Sequence, residues 1–224
     1  ANPEPRTLEA TAVFRVSGMR PELWDPLDGT SRGLARYAVS DGRISVPLRF
    51  EAHQSLFVVF REARERPSSL ASIPAARQDF PIPVEIASLE GPWDVAFDPK
   101  WGGPERIVFG TLDDWSRRPE DGIRHYSGTA TYTKRFDVPQ LAGNPVAGSG
   151  RLWLDLGTVK NIASVRLNGR DLGVVWCDPW HVEITGVIKV KANVLEIRVA
   201  DLWPNRLIGD EREPPDAEYA GGGR

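Results

Sequence analysis

Carboxylates and tryptophans are the side chains of this sequence whose types and spacing could do chemistry. Hydrolysis of a glycosidic bond needs two carboxylates across a cleft, about 5 to 9 Å apart depending on mechanism. Asp155 and Glu183 lie in predicted strands opposite apolar positions, which favours surface salt bridges. Other acidic residues lie in pairs that are typical of turns, namely Asp98-Pro99, Asp113-Asp114 and Asp178-Pro179. Carboxylates are abundant, but no motif pairs them for catalysis.

The tryptophans give a second candidate chemistry. Sugars present C–H faces that stack on flat aromatic rings, and the indole N–H can orient the ligand. Trp176 and Trp180 bracket Cys177-Asp178-Pro179 at the end of a predicted strand. The predicted carbohydrate-binding residues are Trp176, Trp180, His181, Asp178 and Trp115. Alternatively, Trp176 and Trp180 clamp their own loop or contact a neighbouring domain, since aromatic residues are enriched at any interface.

Five of the six remaining tryptophans fall into two predicted groups. Trp101 and Trp115 lie in a long, turn-rich insertion and are expected to be exposed. Trp93, Trp153 and Trp203 are expected to lie in the core. Only the first group is therefore available for ligand contact under this interpretation.

Neither metal nor thiol chemistry is indicated. His53, His125 and His181 lie far apart and lack the usual spacing of zinc ligands. Cys177 is the only cysteine, which excludes an intrachain disulfide, and beside Trp176 it is typical of a small buried hydrophobe. We expect no cofactor, and a structural calcium ion held by loop oxygens stays open as an alternative although no D-x-D-x-D loop is present.

The charge pattern argues against two classes of partner. The 28 Lys and Arg are scattered among 31 Asp and Glu, giving a net charge of -3. Nucleic acid and anionic membranes are therefore not expected partners. No apolar stretch approaches the roughly 20 residues of a spanning helix, and the first ten residues lack a signal-peptide pattern. We expect a soluble chain, or one that has been trimmed.

The segment 152–203 predicts the fold class. Apolar residues alternate with polar ones in several short runs, which is the pattern of half-buried strands. Asn168-Gly169 lies between two such runs and tolerates the positive φ angles of a tight hairpin. About eight strands are predicted between residues 84 and 203, with no helical crossovers. This favours an all-β antiparallel sandwich.

The chain divides into four predicted segments. Residues 1–66 form a small antiparallel β unit, with a hairpin turn at Asp41-Gly42 and a weak helix candidate at Phe60–Arg66. Residues 67–83 form a Pro-rich linker, because proline removes donors and favours extended backbone. Residues 84–212 form the sandwich, and residues 213–224 form a disordered tail.

These residues carry a resemblance to a known family. The chain resembles the C-terminal portion of the large bacterial α-L-rhamnosidases of glycoside hydrolase family 106, and its second unit is similar to the jelly-roll, galactose-binding-like sugar-binding domain of family 2 glycosidases. The resemblance covers about residues 88 to 212. It is carried by YSGTATY (126–132), LDLGTV (154–159), VRLNG (165–169), Trp176, EIT (183–185), NVLEI (193–197) and WPNRLIGD (203–210). PELWD (21–25) and SLFVVF (55–60) are similar to the β unit that follows the catalytic barrel.

The resemblance implies a non-catalytic, carbohydrate-associated module. Catalytic carboxylates of such enzymes lie on a β/α barrel N-terminal to this region, and none of the family's catalytic motifs maps onto this sequence. The implied partners are a glycan or oligosaccharide and a catalytic domain of the same parent chain, and the implied location is secreted or periplasmic. Two alternatives are a structural interaction module that binds no glycan, and a small hydrolase using Asp178 and Glu183.

Overall fold

A computed structural model describes residues 1–62, 79–139 and 150–212. The chain divides into an N-terminal unit, Ala1–Glu85, and a C-terminal unit, Ile86–Arg224. Most of the predicted linker, residues 67–78, and the whole predicted tail, residues 213–224, lie outside the described residues.

The N-terminal unit contains two three-stranded antiparallel sheets, ordered β1-β5-β4 and β3-β2-β6. Its strands are β1 (Leu8–Phe14), β2 (Met19–Trp24), β3 (Ser31–Gly33), β4 (Ala38–Ser40), β5 (Arg43–Phe50) and β6 (Phe57–Glu62). The hairpin at Asp41-Gly42 is confirmed, with φ of 51° and 69° at its two residues. The unit encloses its own core of Leu23, Leu34, Ile44, Val46, Leu48 and Phe50.

Two features of this unit were not expected from the sequence. The helix prediction at Phe60–Arg66 is wrong for its first three residues, which end β6 because they pair with β2 in the register Met19↔Glu62. Asp79 is buried, and its carboxylate accepts hydrogen bonds from the N–H groups of Ala35 and Arg36 at 2.7 to 3.1 Å. These bonds satisfy a charge whose burial would otherwise be costly.

The C-terminal unit is the predicted all-β antiparallel sandwich. A six-stranded sheet, ordered β12-β11-β14-β9-β7-β8, faces a two-stranded sheet of β10 and β13, and every pair is antiparallel. The strands are β7 (Trp93–Ala96), β8 (Ile107–Phe109), β9 (Thr129–Phe136), β10 (Trp153–Asp155), β11 (Ile162–Leu167), β12 (Arg170–Val175), β13 (His181–Glu183) and β14 (Asn193–Ala200). Two α-helices, α1 (Asp121–Arg124) and α2 (Pro204–Arg212), and two 3₁₀ helices, Pro99–Trp101 and Trp115–Arg117, complete the described part of this unit.

Alternation along the strands builds the sandwich core. In β11, Ala163, Val165 and Leu167 are buried while their neighbours are more exposed, so one face of the strand lines the core. The predicted hairpin at Asn168-Gly169 joins β11 to β12, with φ of 53° and 82° at the two residues. These positive angles are what a two-residue hairpin turn requires.

Helix α2 was not predicted from the sequence. Its signal is Pro204 at the first helical position, where the missing N–H costs nothing. The backbone N–H of Arg206 donates to the Ser127 hydroxyl at 3.0 Å, and a Cβ added at Gly209 would lie 2.7 Å from the Cβ of His125. Glycine therefore permits the helix to pack closely at this point. Within the described ranges, no helix has the length and apolar character needed to cross a membrane.

Candidate functional site

The predicted aromatic segment connects β12 to β13 and spans residues 176–180. Trp176 is 61% exposed, whereas Trp180 is half-buried against the sandwich core. The backbone carbonyl of Trp180 accepts a hydrogen bond from the N–H of Leu156 at 2.8 Å. Asp178 and Cys177 are half-buried. The structure therefore brings the predicted residues of this segment together, with Trp176 as its exposed ring.

His181 opens β13 and packs on an aromatic partner that the sequence did not indicate. It pairs with Asp155 across the two-stranded sheet, and its ring centroid lies 4.7 Å from that of Trp153 in an edge-on arrangement. Trp153 is 37% exposed, so the expectation that it lies in the core is wrong. The Arg151 guanidinium also lies over the Trp153 ring, with its central carbon 4.7 Å from the ring centroid.

Glu183 is engaged in an ion pair at the surface. Its carboxylate accepts hydrogen bonds from the guanidinium of Arg151, and this contact lowers the pKa of Glu183. A general acid of a glycosidase needs the opposite shift, because it must keep its proton near neutral pH. The geometry therefore fits the predicted surface salt bridge and opposes a role for Glu183 as the acid of a small hydrolase.

Trp115 is a correction to the predicted site. We expected an exposed ring, but its side chain is only 7% exposed. Its indole N–H donates to the hydroxyl of Tyr132 at 2.5 Å, and its ring packs edge-on against Phe97 and Tyr126. Burial raises the pKa of Tyr132 to about 12, so this hydroxyl stays neutral and can accept the bond. The ring is part of the core and cannot contact a ligand.

Trp101 and Trp203 form an exposed aromatic corner. Their ring centroids lie 5.7 Å apart with the planes at 83°, and the side chains are 47% and 59% exposed. The expected exposure of Trp101 is confirmed, whereas the expectation that Trp203 lies in the core is wrong. Trp203 follows β14 and immediately precedes α2, which places its ring beside the turn that holds Trp101.

A cleft of about 500 Å³ opens beside this corner on the outer face of the six-stranded sheet. Its floor comes from three neighbouring strands, because Ala96 pairs with Thr131 and Thr131 pairs with Arg198. The lining residues are Ala96, Phe97, Asp98, Trp101, Tyr126, Ser127, Gly128, Thr129, Thr131, Arg198, Asp201 and Trp203. These residues come from three separated segments, 96–101, 126–131 and 198–203, so no local sequence pattern brings them together.

The charged groups of the cleft have different environments. The Asp201 carboxylate accepts hydrogen bonds from the Leu202 N–H at 2.7 Å and the Asn205 side-chain amide at 2.9 Å. Partial burial nevertheless raises the pKa of Asp201. The Asp98 carboxylate accepts from the N–H of Lys100 at 3.0 Å. Arg198 has no ion-pair partner within the part of the chain that the structure describes.

Metal ligands are not clustered in the described ranges. No group of three or more His, Cys, Asp or Glu side chains lies close enough there to hold a metal ion. Neither the aromatic segment nor the cleft thus offers a set of carboxylates and imidazoles arranged as ligands. The chemistry available at both places is stacking and hydrogen bonding.

Comparison with known proteins shows what this chain is related to. A rhamnosidase from Novosphingobium sp. PP1Y is 37% identical over 95% of the chain, with a TM-score of 0.77. A protein of Formosa agariphila named "Putative beta-glucuronidase" is 40% identical over 141 residues, 63% of the chain. The chain is a relative of glycoside hydrolases. No protein-family model matches it.

Both relatives are much longer than the region that they share with this chain. The chain spans 19% of the rhamnosidase and 12% of the Formosa protein. The likeness to the rhamnosidase extends across both structural units, because it covers 95% of the chain. The relationship therefore concerns a segment of each larger protein.

Proposed function

We propose that this chain is a non-catalytic, carbohydrate-binding β-sandwich module of a polysaccharide-degrading glycoside hydrolase, related to the C-terminal region of family 106 α-L-rhamnosidases. One observation carries the proposal: 95% of the chain matches 19% of a rhamnosidase at 37% identity. In such a parent the catalytic carboxylates belong to a separate barrel. A secreted or periplasmic location belongs to the same proposal.

Three features support a role without catalysis. The described residues form antiparallel sheets without the repeated β/α units of a barrel. The carboxylate of Glu183 is held by Arg151. Asp178, its suggested partner in hydrolysis, is half-buried in the segment before β13. Glu183 is held in a salt bridge that lowers its pKa, whereas a general acid or base works best with a pKa near the working pH. Asp178 and Glu183 are therefore a poor acid–base pair.

In this proposal, glycan binds at the aromatic segment 176–181. Trp176 offers an exposed ring face, and Trp180 anchors the segment to the core. Asp178 and His181 lie beside these rings along the chain and add hydrogen-bonding groups. Stacking on one exposed ring with few polar contacts is expected to give weak affinity for each sugar unit, so longer oligosaccharides should bind better.

The test is a titration of the full chain with a panel of plant and bacterial oligosaccharides. Trp176→Ala should abolish binding of any oligosaccharide that the wild-type chain binds, because it removes the exposed ring. Trp24→Ala, in the N-terminal unit, is the matched control, since it removes a surface tryptophan that is 36% exposed. Equal affinity of the wild-type chain and a Trp176→Ala, Trp180→Ala double variant would refute this site.

A second candidate function is a structural module that docks on the catalytic domain of its parent chain and binds no glycan. The observation that favours it is the apolar surface at α2, where Leu202, Leu207 and Ile208 are 54%, 62% and 45% exposed. Patches of this kind mark interaction surfaces. Under this hypothesis the isolated chain self-associates, and Leu207→Ser with Ile208→Ser makes it monomeric in sedimentation. A monomeric wild-type chain that binds glycan would argue against it.

A further inference from the structure

We infer that the cleft beside Trp101 and Trp203 is a second sugar-binding site, which takes a neutral pyranose ring. The inference rests on the proposed function, in that it assumes the module binds glycan. It concerns a different place, however, since its residues lie outside the segment 176–181. The two sites can therefore be tested separately.

The aromatic corner provides the apolar contacts. With the two planes at 83°, one indole can stack on a sugar face while the other meets the edge of the same ring. Both rings keep a large exposed surface of 47% and 59% without any ligand. The apolar area that these two rings leave exposed does not contribute to the stability of the fold. A sugar ring stacked on them would bury this exposed surface.

Apart from Arg198, the floor of the cleft is made of small side chains. Ala96 and Thr131 face outward on neighbouring strands, and Ser127 and Gly128 form the adjoining loop. A Cβ added at Gly128, where φ is 149°, would lie 3.0 Å from the hydroxyl of Tyr126. These residues leave about 500 Å³ open, within the range of roughly 300 to 1,000 Å³ that small-molecule sites occupy.

The polar groups of the cleft match a ring that carries hydroxyls. A sugar hydroxyl can donate to one group and accept from another. The carboxylates of Asp98 and Asp201 provide acceptors, and each retains lone pairs beyond the hydrogen bonds that it already makes. The guanidinium of Arg198 provides donors, because no described carboxylate pairs with it.

The balance of charge selects the class of sugar. Two carboxylates and one guanidinium are the ionised side chains of the cleft, giving a formal charge of −1. A sugar carboxylate would be repelled by Asp98 and Asp201 and attracted by Arg198, so the net interaction with the cleft would be repulsive. A neutral ring avoids this repulsion and can still form hydrogen bonds with all three groups. Neutral sugars should therefore bind more tightly than uronic acids.

The experiment uses the indole N–H signals of the full ¹⁵N-labelled chain. The signals of Trp101 and Trp203 are assigned from Trp101→Ala and Trp203→Ala, and methyl α-L-rhamnoside and methyl β-D-glucuronide serve as neutral and charged probes. We expect the rhamnoside to move both signals, with an affinity at least tenfold lower in Arg198→Ala, because a hydrogen bond to a charged group is lost. Arg198→Lys keeps the positive charge but lacks the planar guanidinium with its several N–H donors, so this variant should bind the rhamnoside with intermediate affinity.

Leu112→Ala is the matched control, since it removes an exposed apolar side chain of the C-terminal unit that does not line the cleft. It should leave the titration unchanged. Shifts confined to the signals of Trp176 and Trp180 would overturn this inference and leave the proposed function standing. An equal or stronger response to the glucuronide would overturn the assignment to neutral sugars. No response at any indole, with these probes and with the oligosaccharide panel, would contradict the proposed function itself.

Discussion

Trp101 and Trp115 lie between β7 and β9, on either side of the short strand β8, yet their environments are opposite. Trp115 is 7% exposed and Trp101 is 47% exposed. Trp115 belongs to a buried aromatic cluster with Phe97, Tyr126 and Tyr132, in which its N–H has a partner. Among the described residues, Trp101 packs against one aromatic ring, that of Trp203. The comparison separates aromatic residues that stabilise the fold from those that remain available to a ligand.

Tyr126 joins the two regions. Its ring packs edge-on against Phe97 and Trp115, and it also lines the cleft. Its hydroxyl accepts a hydrogen bond from the N–H of Asp98 at 3.2 Å and donates to the carbonyl of Thr129 at 3.1 Å. The buried cluster thus fixes the position of the cleft wall. Changes in the cluster should cost stability, whereas changes in the aromatic corner should cost only binding.

The largest expected effect is the loss of stability in Trp115→Ala. Removing this ring leaves a cavity in the core and an unpartnered Tyr132 hydroxyl, and should lower the free energy of unfolding by about 3–5 kcal/mol. Trp101→Ala should lower it by less than about 1 kcal/mol, because its ring is half exposed. Urea titration followed by tryptophan fluorescence measures both, since seven of the eight tryptophans lie in the C-terminal unit. Similar losses in the two variants would mean that Trp101 stabilises the fold as much as Trp115 does.

Tyr126→Phe should have a smaller effect, because it removes a hydroxyl and leaves the ring. The N–H of Asp98 and the carbonyl of Thr129 would both lose their partner at the cleft wall. An unsatisfied buried group costs about 1–3 kcal/mol, and the same urea titration would detect this loss. Tyr37→Phe in the N-terminal unit is the control, since no described residue bonds to that hydroxyl. Unchanged stability would mean that water replaces both bonds.

The regular parts of this fold could be predicted from the sequence. Alternation identifies β9, β11 and β14 because one face of each strand packs on the core. The Asn168-Gly169 turn could be predicted because few residue pairs adopt two successive positive φ angles. Such signals are local, so they do not depend on knowing which strands become neighbours.

The environments of individual tryptophans could not be predicted in the same way. The stretch that holds Trp101 and Trp115 shows little alternation of apolar and polar residues. Its path depends on close contacts such as that of Gly103 with Phe97. A Cβ there would lie 2.5 Å from the Cβ of Phe97, so only glycine lets the chain approach at this point. The cleft likewise depends on the pairing of Thr131 with Arg198 and Ala96. These pairings depend on the order of the strands in the sheet, which cannot be predicted from the sequence of any single segment.

The smallest expected effect is a pH dependence of stability that arises from Asp201, which lines the cleft. Partial burial raises its pKa in the folded chain above the ordinary value of about 3.9. The folded state therefore binds more protons than the unfolded state in this range, and stability falls as the pH rises through the raised pKa. Asp201→Asn removes this titration while keeping one oxygen that can accept from Leu202 or Asn205.

The stability of Asp201→Asn relative to the wild-type chain should therefore increase with pH. The change should begin near the ordinary carboxyl pKa and level off above the raised one. Urea titrations of both chains across this range measure it, because contributions of the other carboxyl groups cancel in the difference. A flat difference for Asp201→Asn would mean that the cleft is as well hydrated as the open surface, which would weaken its contrast with the buried cluster.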